Sequence, residues 1–316
     1  MVHILKIAGK IIFVLFCIVV IIIITWAIWE RNRDPLNAIN QSTGAVTLLK
    51  DSILTLDDAT REYRQILLNT ERIGKIKAYL SVPLTYHDQK VPVIIILGGL
   101  NISADNFKAI PDPGNNAILI YDYPYSPKYW YDGTAFTQIP VIRNAVLTVP
   151  AQVVELARWA DQQNWSNNSG CSILGYSFGS FFVPGVYHVA DSRKIKLKPG
   201  VIAYGGTDIY QLLQTNLRKV AEPFKSIFAW LASTAIYPIS PELHAPYLKN
   251  NFLVINSLYD RQITDASWIK LHDLIPDPKT VVILNKGHMH PRNPDLTKNL
   301  VKISKDWLVE RGCINP

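Results

Sequence analysis

The sequence predicts an α/β protein, in which a mostly parallel β-sheet is covered by helices on both faces and is preceded by one membrane-spanning helix. Three observations predict this: an uncharged apolar run near the N-terminus, several short apolar runs typical of buried strands, and segments of helical periodicity between them. The chain has 316 residues, of which 48% are hydrophobic, so it can form a packed core and global disorder is excluded.

The apolar run covers residues 11–29 and contains no charged side chain. As an α-helix it would extend ~28 Å, close to the hydrocarbon thickness of a bilayer. Trp26, Ile28 and Trp29 stand where a cleavable signal peptide needs small residues, which favours an uncleaved single-pass anchor at residues 1–30 over a cleaved signal. Lysine and arginine are balanced across the two flanks, so the terminal amine favours a cytoplasmic N-terminus and an extracytoplasmic C-terminal domain.

Residues 31–60 read as a polar, turn-rich connector with short helices expected around residues 46–56. The C-terminal domain is predicted at residues 61–316. Residues 75–82 alternate apolar and polar side chains, as a half-exposed strand does. Apolar runs predict the later strands at residues 91–97, 117–121, 172–175, 200–203, 252–255 and 281–284.

Helical patterns separate several of these strands. One predicted helix begins at Pro150, and another carries the apolar stripe of residues 296–308. Residues 207–250 contain no clear strand and predict a helical, lid-like insertion over one end of the sheet. Strands that alternate with helices in this way imply a parallel sheet covered on both sides.

The charge and the cysteines exclude several classes of partner and cofactor. Residues 192–198 (SRKIKLK) contribute to the net charge of +7 and are interpreted as a solvated loop rather than a membrane-binding patch. The sequence shows no basic–aromatic module and no zinc-site spacing among Cys17, Cys171 and Cys313, so we expect no nucleic-acid partner, no metal and no cofactor. Cys171 and Cys313 are expected at one edge of the sheet, as a disulfide or as two unpaired thiols.

The most informative segment is residues 171–179, CSILGYSFG, where a short apolar strand runs into Gly-x-Ser-x-Gly. A nucleophile on a sharp strand-to-helix turn needs strained backbone angles and neighbours without side chains, which Gly175 and Gly179 supply. A helix N-terminus behind Ser177 would favour the negative charge that develops during acyl transfer. Ser177 is therefore the predicted nucleophile, and an ordinary tight turn is the alternative.

A serine hydroxyl needs a base, and the base needs an orienting acid. Asp260 and His288 each follow a predicted strand, at the carboxyl edge where parallel sheets place their sites. His290 is the alternative base. Asp208 is the alternative acid, and its other interpretation is a helix cap.

From about residue 61 to its end the chain resembles the α/β-hydrolase superfamily, in the style of its dienelactone-hydrolase-like and serine-aminopeptidase-like members. The resemblance rests on residues 175–179, on Asp260 after the penultimate strand, and on Gly287-His288 after the last. It implies Ser177 as nucleophile, His288 as general base and Asp260 as orienting acid.

The resemblance also implies an oxyanion hole formed by the backbone N–H groups of Leu100 and Phe178. Two residues depart from the pattern. Gly98 stands where related enzymes often have histidine, which need not disturb the backbone donors. Pro184 would fall well inside the helix after Ser177, and we expect it to kink that helix.

Aromatic side chains fill residues 121–131, after the fourth strand, and Phe136 follows soon after. These rings either line a cleft for an apolar acyl or aromatic group or only pack the loop against the insertion. The prediction is a serine hydrolase that cleaves a carboxylic ester, thioester or amide of a small-molecule or lipid-like acyl substrate through an acyl-enzyme. The alternatives are an acyltransferase with the same triad and a catalytically silent hydrolase fold that binds a ligand or partner.

Overall fold

The computed structural model describes residues 2–316 apart from residues 57, 100, 101, 127, 128, 130–134, 218, 219, 250 and 291. The strands of these residues form one sheet. They are β1 (Val46–Leu54), β2 (Arg61–Thr70), β3 (Gly74–Pro83), β4 (Val91–Leu97), β5 (Ala117–Asp122), β6 (Ser166–Tyr176), β7 (Gly200–Ala203), β8 (Phe252–Ser257) and β9 (Lys279–Leu284).

The strands lie in the order β1-β2-β3-β5-β4-β6-β7-β8-β9. Neighbours from β5 through β4 and β6 to β9 are parallel, whereas β1, β2 and β3 pair antiparallel with their neighbours. The predicted mostly parallel sheet is therefore confirmed. The carboxyl ends of β4 to β9 all meet at one edge, which we call the carboxyl edge.

The helices of the described residues are α1 (Val2–Asn32), α2 (Pro35–Ile39), α3 (Ala135–Asp161), α4 (Val183–Ser192), α5 (Ile209–Asn216), α6 (Phe224–Ala235), α7 (Pro241–His244), α8 (Asp265–Leu274) and α9 (Pro294–Glu310). Helices α3, α4 and α8 cover one face of the sheet and α9 covers the other. Strand β4 is buried on both sides: Ile95 belongs to the core under α3, α4 and α8, and Ile94 and Ile96 belong to the core under α9. This explains the unbroken apolar sequence of the strand.

The seven strands predicted from the sequence correspond to β3–β9, but the prediction for residues 46–56 is wrong. Strand β1 forms there instead of helices, pairing from Val46 opposite Thr70 to Leu54 opposite Tyr63. Most side chains of β1 are exposed, so its sequence carries no clear burial pattern. Backbone pairing with β2 is what holds it in the sheet. The division at residue 61 stays a prediction, although the sheet begins before it.

Two prolines lie in other places than expected. Pro150 is inside α3 rather than at its start, because the residues on both sides of it are buried against the sheet and their packing offsets the lost hydrogen bond. Pro184 does not kink a helix, because a 3-10 turn over Ser177–Phe181 ends before α4 begins at Val183. Pro184 thus occupies the first turn of α4, where its missing N–H costs nothing.

Two helices among the described residues are long and apolar enough to span a membrane, Lys6–Asn32 and Thr137–Asp161. The second is mostly buried and forms part of α3, so it is a core helix. The first exposes its apolar side chains and is either a membrane span or a signal sequence.

The segment after α1 is docked on the domain. Arg193, at the end of α4, donates from Nε to Asn40 Oδ1 (2.6 Å), from Nη2 to the carbonyl of Gln41 (2.6 Å) and from Nη1 to Glu155 Oε1 (2.9 Å). The interpretation of residues 192–198 as a solvated loop is therefore wrong for Arg193, whose partners lie far away in sequence. It holds for Lys194 and Lys196, which are exposed.

Cys171 and Cys313 carry unpaired thiols in the structure, and both are buried. Lys198 connects their backbones, because its N–H donates to the carbonyl of Cys171 (2.9 Å) and its ammonium donates to the carbonyl of Cys313 (2.9 Å).

Two buried histidines join α4 to the insertion. His244 Nε2 donates to the carbonyl of Pro238 (2.7 Å), so the neutral ring accepts at Nδ1 from Nδ1–H of His188 (3.0 Å). Burial is the largest cause that lowers the pKa of His244 from 6.5 to about 4; the Pro238 carbonyl and Asp34 oppose it, and His188 adds to it. His244 is therefore neutral in the folded protein at pH values where a free histidine is protonated.

We expect acid to destabilise the fold through His244. Below pH 6.5 the unfolded chain binds a proton at His244 that the folded chain does not bind. The contribution of His244 to the free energy of unfolding is therefore complete above pH 6.5 and is lost as the pH falls toward about 4. The lowered pKa of His244 corresponds to ~3 kcal/mol of the free energy of unfolding. The free energy of unfolding in urea is measured between pH 7 and pH 4. Over this range the wild-type chain should lose ~3 kcal/mol more than His244→Gln. His290→Gln, at an exposed position, should lose as much as the wild type. Parallel curves for wild type and His244→Gln would contradict this.

Candidate active site

The turn at Ser177 has the strained geometry that its sequence predicts. Ser177 follows β6 with φ +52°, in the left-handed region that non-glycine residues seldom adopt. A Cβ at Gly179 would lie 2.0 Å from the carbonyl oxygen of Leu97, and one at Gly175 would lie 2.5 Å from Cγ2 of Val183. The two glycines therefore let the turn approach β4 and α4.

Ser177, His288 and Asp260 form a continuous hydrogen-bonded chain. Ser177 Oγ lies 2.8 Å from His288 Nε2, and His288 Nδ1 lies 2.7 Å from Asp260 Oδ2. A carboxylate only accepts, so Nδ1 carries the proton and Nε2 presents its lone pair to the serine hydroxyl. The side chains of His288 and Asp260 are 8% and 1% exposed, so water scarcely competes for these bonds.

The Asp260 carboxylate is held by its own loop. Its Oδ1 accepts from the N–H groups of Gln262 (2.7 Å) and Ile263 (3.1 Å), which leaves Oδ2 for the histidine. Ser257, the last residue of β8, ties this loop to the loop after β9, because its Oγ accepts from Lys286 N–H (2.9 Å). The loops that carry Asp260 and His288 are therefore fixed to one another.

Tyr204, which directly follows β7, supports the histidine. Its hydroxyl donates to the carbonyl of Gly287 (3.1 Å), and its ring stands edge-on to that of His288 with centroids 5.2 Å apart. Burial is the main cause that raises the pKa of Tyr204, so it stays a neutral donor. Sequence reasoning missed Tyr204, although its position directly after β7 places it at the carboxyl edge.

The alternative residues have other roles. His290 is exposed, and its Nδ1 accepts from Arg292 N–H (3.0 Å). Asp208 is the N-cap of α5, where its side chain accepts from Gln211 N–H (3.1 Å). His272 is buried in α8 and hydrogen-bonds to Asn256. The histidine that the structure brings to Ser177 is His288.

Leu100, one of the two expected oxyanion donors, lies outside the described residues, as do Trp130 and Tyr131 and the side chain of Phe136. Phe178 directly follows Ser177 in the turn. The carbonyl of Gly98 accepts from the hydroxyl of Tyr123 (2.7 Å).

Two tyrosines of the aromatic loop pack beneath the site instead of lining a cleft. The ring of Tyr123 contacts Phe178 and Phe182, with centroids 5.1 and 5.7 Å away. Tyr121 is fully buried and bonds Gln152 (2.7 Å). Tyr129 is exposed. Among the described residues, no group of three or more histidine, cysteine, aspartate or glutamate side chains could hold a metal ion.

No protein-family model matches the chain, and no curated protein sequence matches it either. Solved structures do match. The acetyl xylan esterase from Paenibacillus sp. R4 has a TM-score of 0.58 and 14% identity, with 88% of this chain and 94% of that chain covered. Acetyl xylan esterase 1 from Thermoanaerobacterium sp. JW/SL YS485 has a TM-score of 0.57 and 15% identity, with 87% and 92% covered.

The S-formylglutathione hydrolase from Agrobacterium tumefaciens has a TM-score of 0.55 and 14% identity, with 82% of this chain and 99% of that chain covered. At such low identity these likenesses establish the fold. The chain has the α/β-hydrolase fold, as the resemblance of its motifs implies.

Proposed function

We propose that this protein is a membrane-anchored serine hydrolase that cleaves a carboxylic ester through an acyl-enzyme. The observation that carries the proposal is the chain of hydrogen bonds from Ser177 through His288 to Asp260, with distances of 2.8 and 2.7 Å. The esterases among the similar solved structures support an ester as the substrate. An acyltransferase would use the same groups with an acceptor other than water.

In this mechanism Ser177 Oγ attacks the acyl carbon while His288 Nε2 takes its proton. Asp260 stabilises the imidazolium that results. The backbone N–H groups of Phe178 and Leu100 are assigned to the oxyanion. His288 then returns the proton to the leaving alcohol, and water, activated by the same nitrogen, releases the acid and restores Ser177.

The membrane part of the proposal assigns residues 1–30 to a single-pass anchor. The exposed apolar side chains of α1 support it, together with the uncharged run at residues 11–29. The balance of basic residues favours a domain outside the cytoplasm. Residues 31–60 then connect the anchor to the hydrolase domain at 61–316, whose insertion at 207–250 contains α5, α6 and α7.

One experiment tests both parts. Membranes from cells that produce the full chain are washed with alkaline carbonate and treated with a fluorophosphonate probe. We expect labelling in the membrane pellet, on a band of the full mass of 35.7 kDa. Ser177→Ala should abolish the label, and Ser169→Ala, at the opposite end of β6, should keep it.

The possible failures are distinct. Equal labelling of Ser177→Ala would refute the nucleophile. A labelled protein that is shorter, or that the wash releases, would refute the anchor and indicate a cleaved signal.

A further inference from the structure

Helix α6 presents its apolar side to the outside of the molecule. Phe224, Ile227 and Phe228 are 61%, 51% and 40% exposed, and Leu231 is half-buried. These four residues follow the spacing i, i+3, i+4, i+7, so they form one stripe along the helix. We call them the α6 stripe.

The buried residues of α6 are all small or polar, namely Ala229, Ser233, Thr234 and Ala235. A surface helix of a water-soluble protein has the reverse arrangement, with its apolar stripe on the core. Exposed apolar patches of this kind mark an interaction surface.

The position of α6 beside α1 identifies the partner. Helix α1 contacts α6 and the turn Tyr237–Ile239. Arg31 donates from Nη2 to Thr234 Oγ1 (3.3 Å), and its guanidinium lies 5.0 Å from the centroid of the Tyr237 ring. Ala27 is buried by these contacts although it belongs to the uncharged run, two residues before its end, or ~3 Å along the helix axis. The elements packed there therefore reach the level of the membrane surface.

A buried ion cluster fixes this arrangement. Glu30 is fully buried between Arg33 (2.5 Å) and Arg143 of α3 (2.9 Å). Trp29, next to Glu30 in α1, and Val141, two residues before Arg143 in α3, are also exposed apolar residues. Both helices joined by this ion cluster therefore expose apolar side chains close to it in sequence.

We propose that the α6 stripe inserts into the interface of the same bilayer that α1 spans. The proposal rests on the anchor assigned under the proposed function. Because α6 follows β7 through α5 at the carboxyl edge, the edge that holds Ser177 then faces the lipid. The site would take acyl esters that reside in the bilayer.

Spin-label depth measurements on the full chain in phosphatidylcholine vesicles test the proposal. Cys17 is first replaced by alanine, while Cys171 and Cys313 are buried. A label at Ile227→Cys should show several-fold higher accessibility to oxygen, relative to a water-soluble nickel complex, than a label at Lys302→Cys on α9. Ile18→Cys in α1 is the deep reference.

The outcomes distinguish the docking of α6 from the anchoring by α1. If the label at Ile227→Cys has the same relative accessibility as the label at Lys302→Cys while Ile18→Cys is deep, the docking of α6 is overturned. The anchor would then remain. A water-exposed label at Ile18→Cys overturns both. Spin–spin broadening at Ile227→Cys that disappears on dilution with unlabelled chain would indicate a second copy as the occupant, which also overturns it.

A charged variant gives an independent readout. Ile227→Asp should lower hydrolysis of an ester held in the vesicle by about tenfold or more, because a carboxylate resists leaving water. Hydrolysis of a soluble short-chain ester should be unchanged, as should both activities of Lys302→Asp. If Ile227→Asp and the wild type hydrolyse the vesicle ester at equal rates, the docking of α6 is overturned. If the wild-type chain hydrolyses no soluble ester at all, the proposed hydrolase activity is refuted.

Discussion

Replacing His288 with alanine should lower ester hydrolysis by at least ~10⁴-fold, whereas replacing His290 should leave it within about twofold. The two histidines are two residues apart, yet only His288 lies between Ser177 Oγ and the Asp260 carboxylate. Without its imidazole, the serine proton has no acceptor in the transition state. His290 is exposed, and its imidazole accepts from the backbone N–H of Arg292.

The measurement is the rate of hydrolysis of a soluble ester under saturating conditions, with the fold checked by circular dichroism. Asp260→Asn should cost a similar factor, because an amide stabilises the wrong tautomer of His288. Comparable activities of the His288→Ala and His290→Ala variants would show that the imidazole of His288 is not the base.

The second large effect is expected on stability, from Gly179→Ala. The new Cβ would lie 2.0 Å from the carbonyl oxygen of Leu97 and 2.8 Å from that of Gly98. Both are backbone atoms of β4 and the turn after it, so no side chain can rotate away and the turn itself has to move. Overpacking of this severity should lower the free energy of unfolding by ~3 kcal/mol or more.

The melting temperature of Gly179→Ala should therefore fall by ~6–12 °C. Gly99→Ala is the matched control, because a Cβ there contacts nothing within 4 Å. A Gly179→Ala variant that melts together with Gly99→Ala would mean that the turn at Ser177 has more room than its geometry indicates.

Most of the parallel strands could be predicted because burial on both faces makes their sequences largely apolar. Residues 91–97 coincide with β4, Val91–Leu97. Ser177, Asp260 and His288 could be expected at one edge because each follows such a strand, and the carboxyl ends of parallel strands meet there.

Features that depend on tertiary partners were beyond sequence reasoning. Strand β1 is mostly exposed and is held by backbone bonds, which leave no side-chain pattern. Arg193 has the sequence context of a solvated loop, but its partner Asn40 comes from the segment after α1. Pro150 is tolerated inside α3 because the surrounding helix is buried. In each case a contact distant in the sequence outweighs the local preference.

The burial of Glu30 also limits how far the hydrolase domain can move from its membrane helix. A flexible linker with the length of residues 31–60 would let a domain sweep ~30 Å from its anchor. Here Glu30 joins α1 to Arg143, and Asn40 and Gln41 are bonded to Arg193, so little free chain remains between helix and domain. In the anchored protein that we propose, the catalytic serine stays at a constant height above the lipid. Its encounters with substrate would then depend on lateral diffusion in two dimensions.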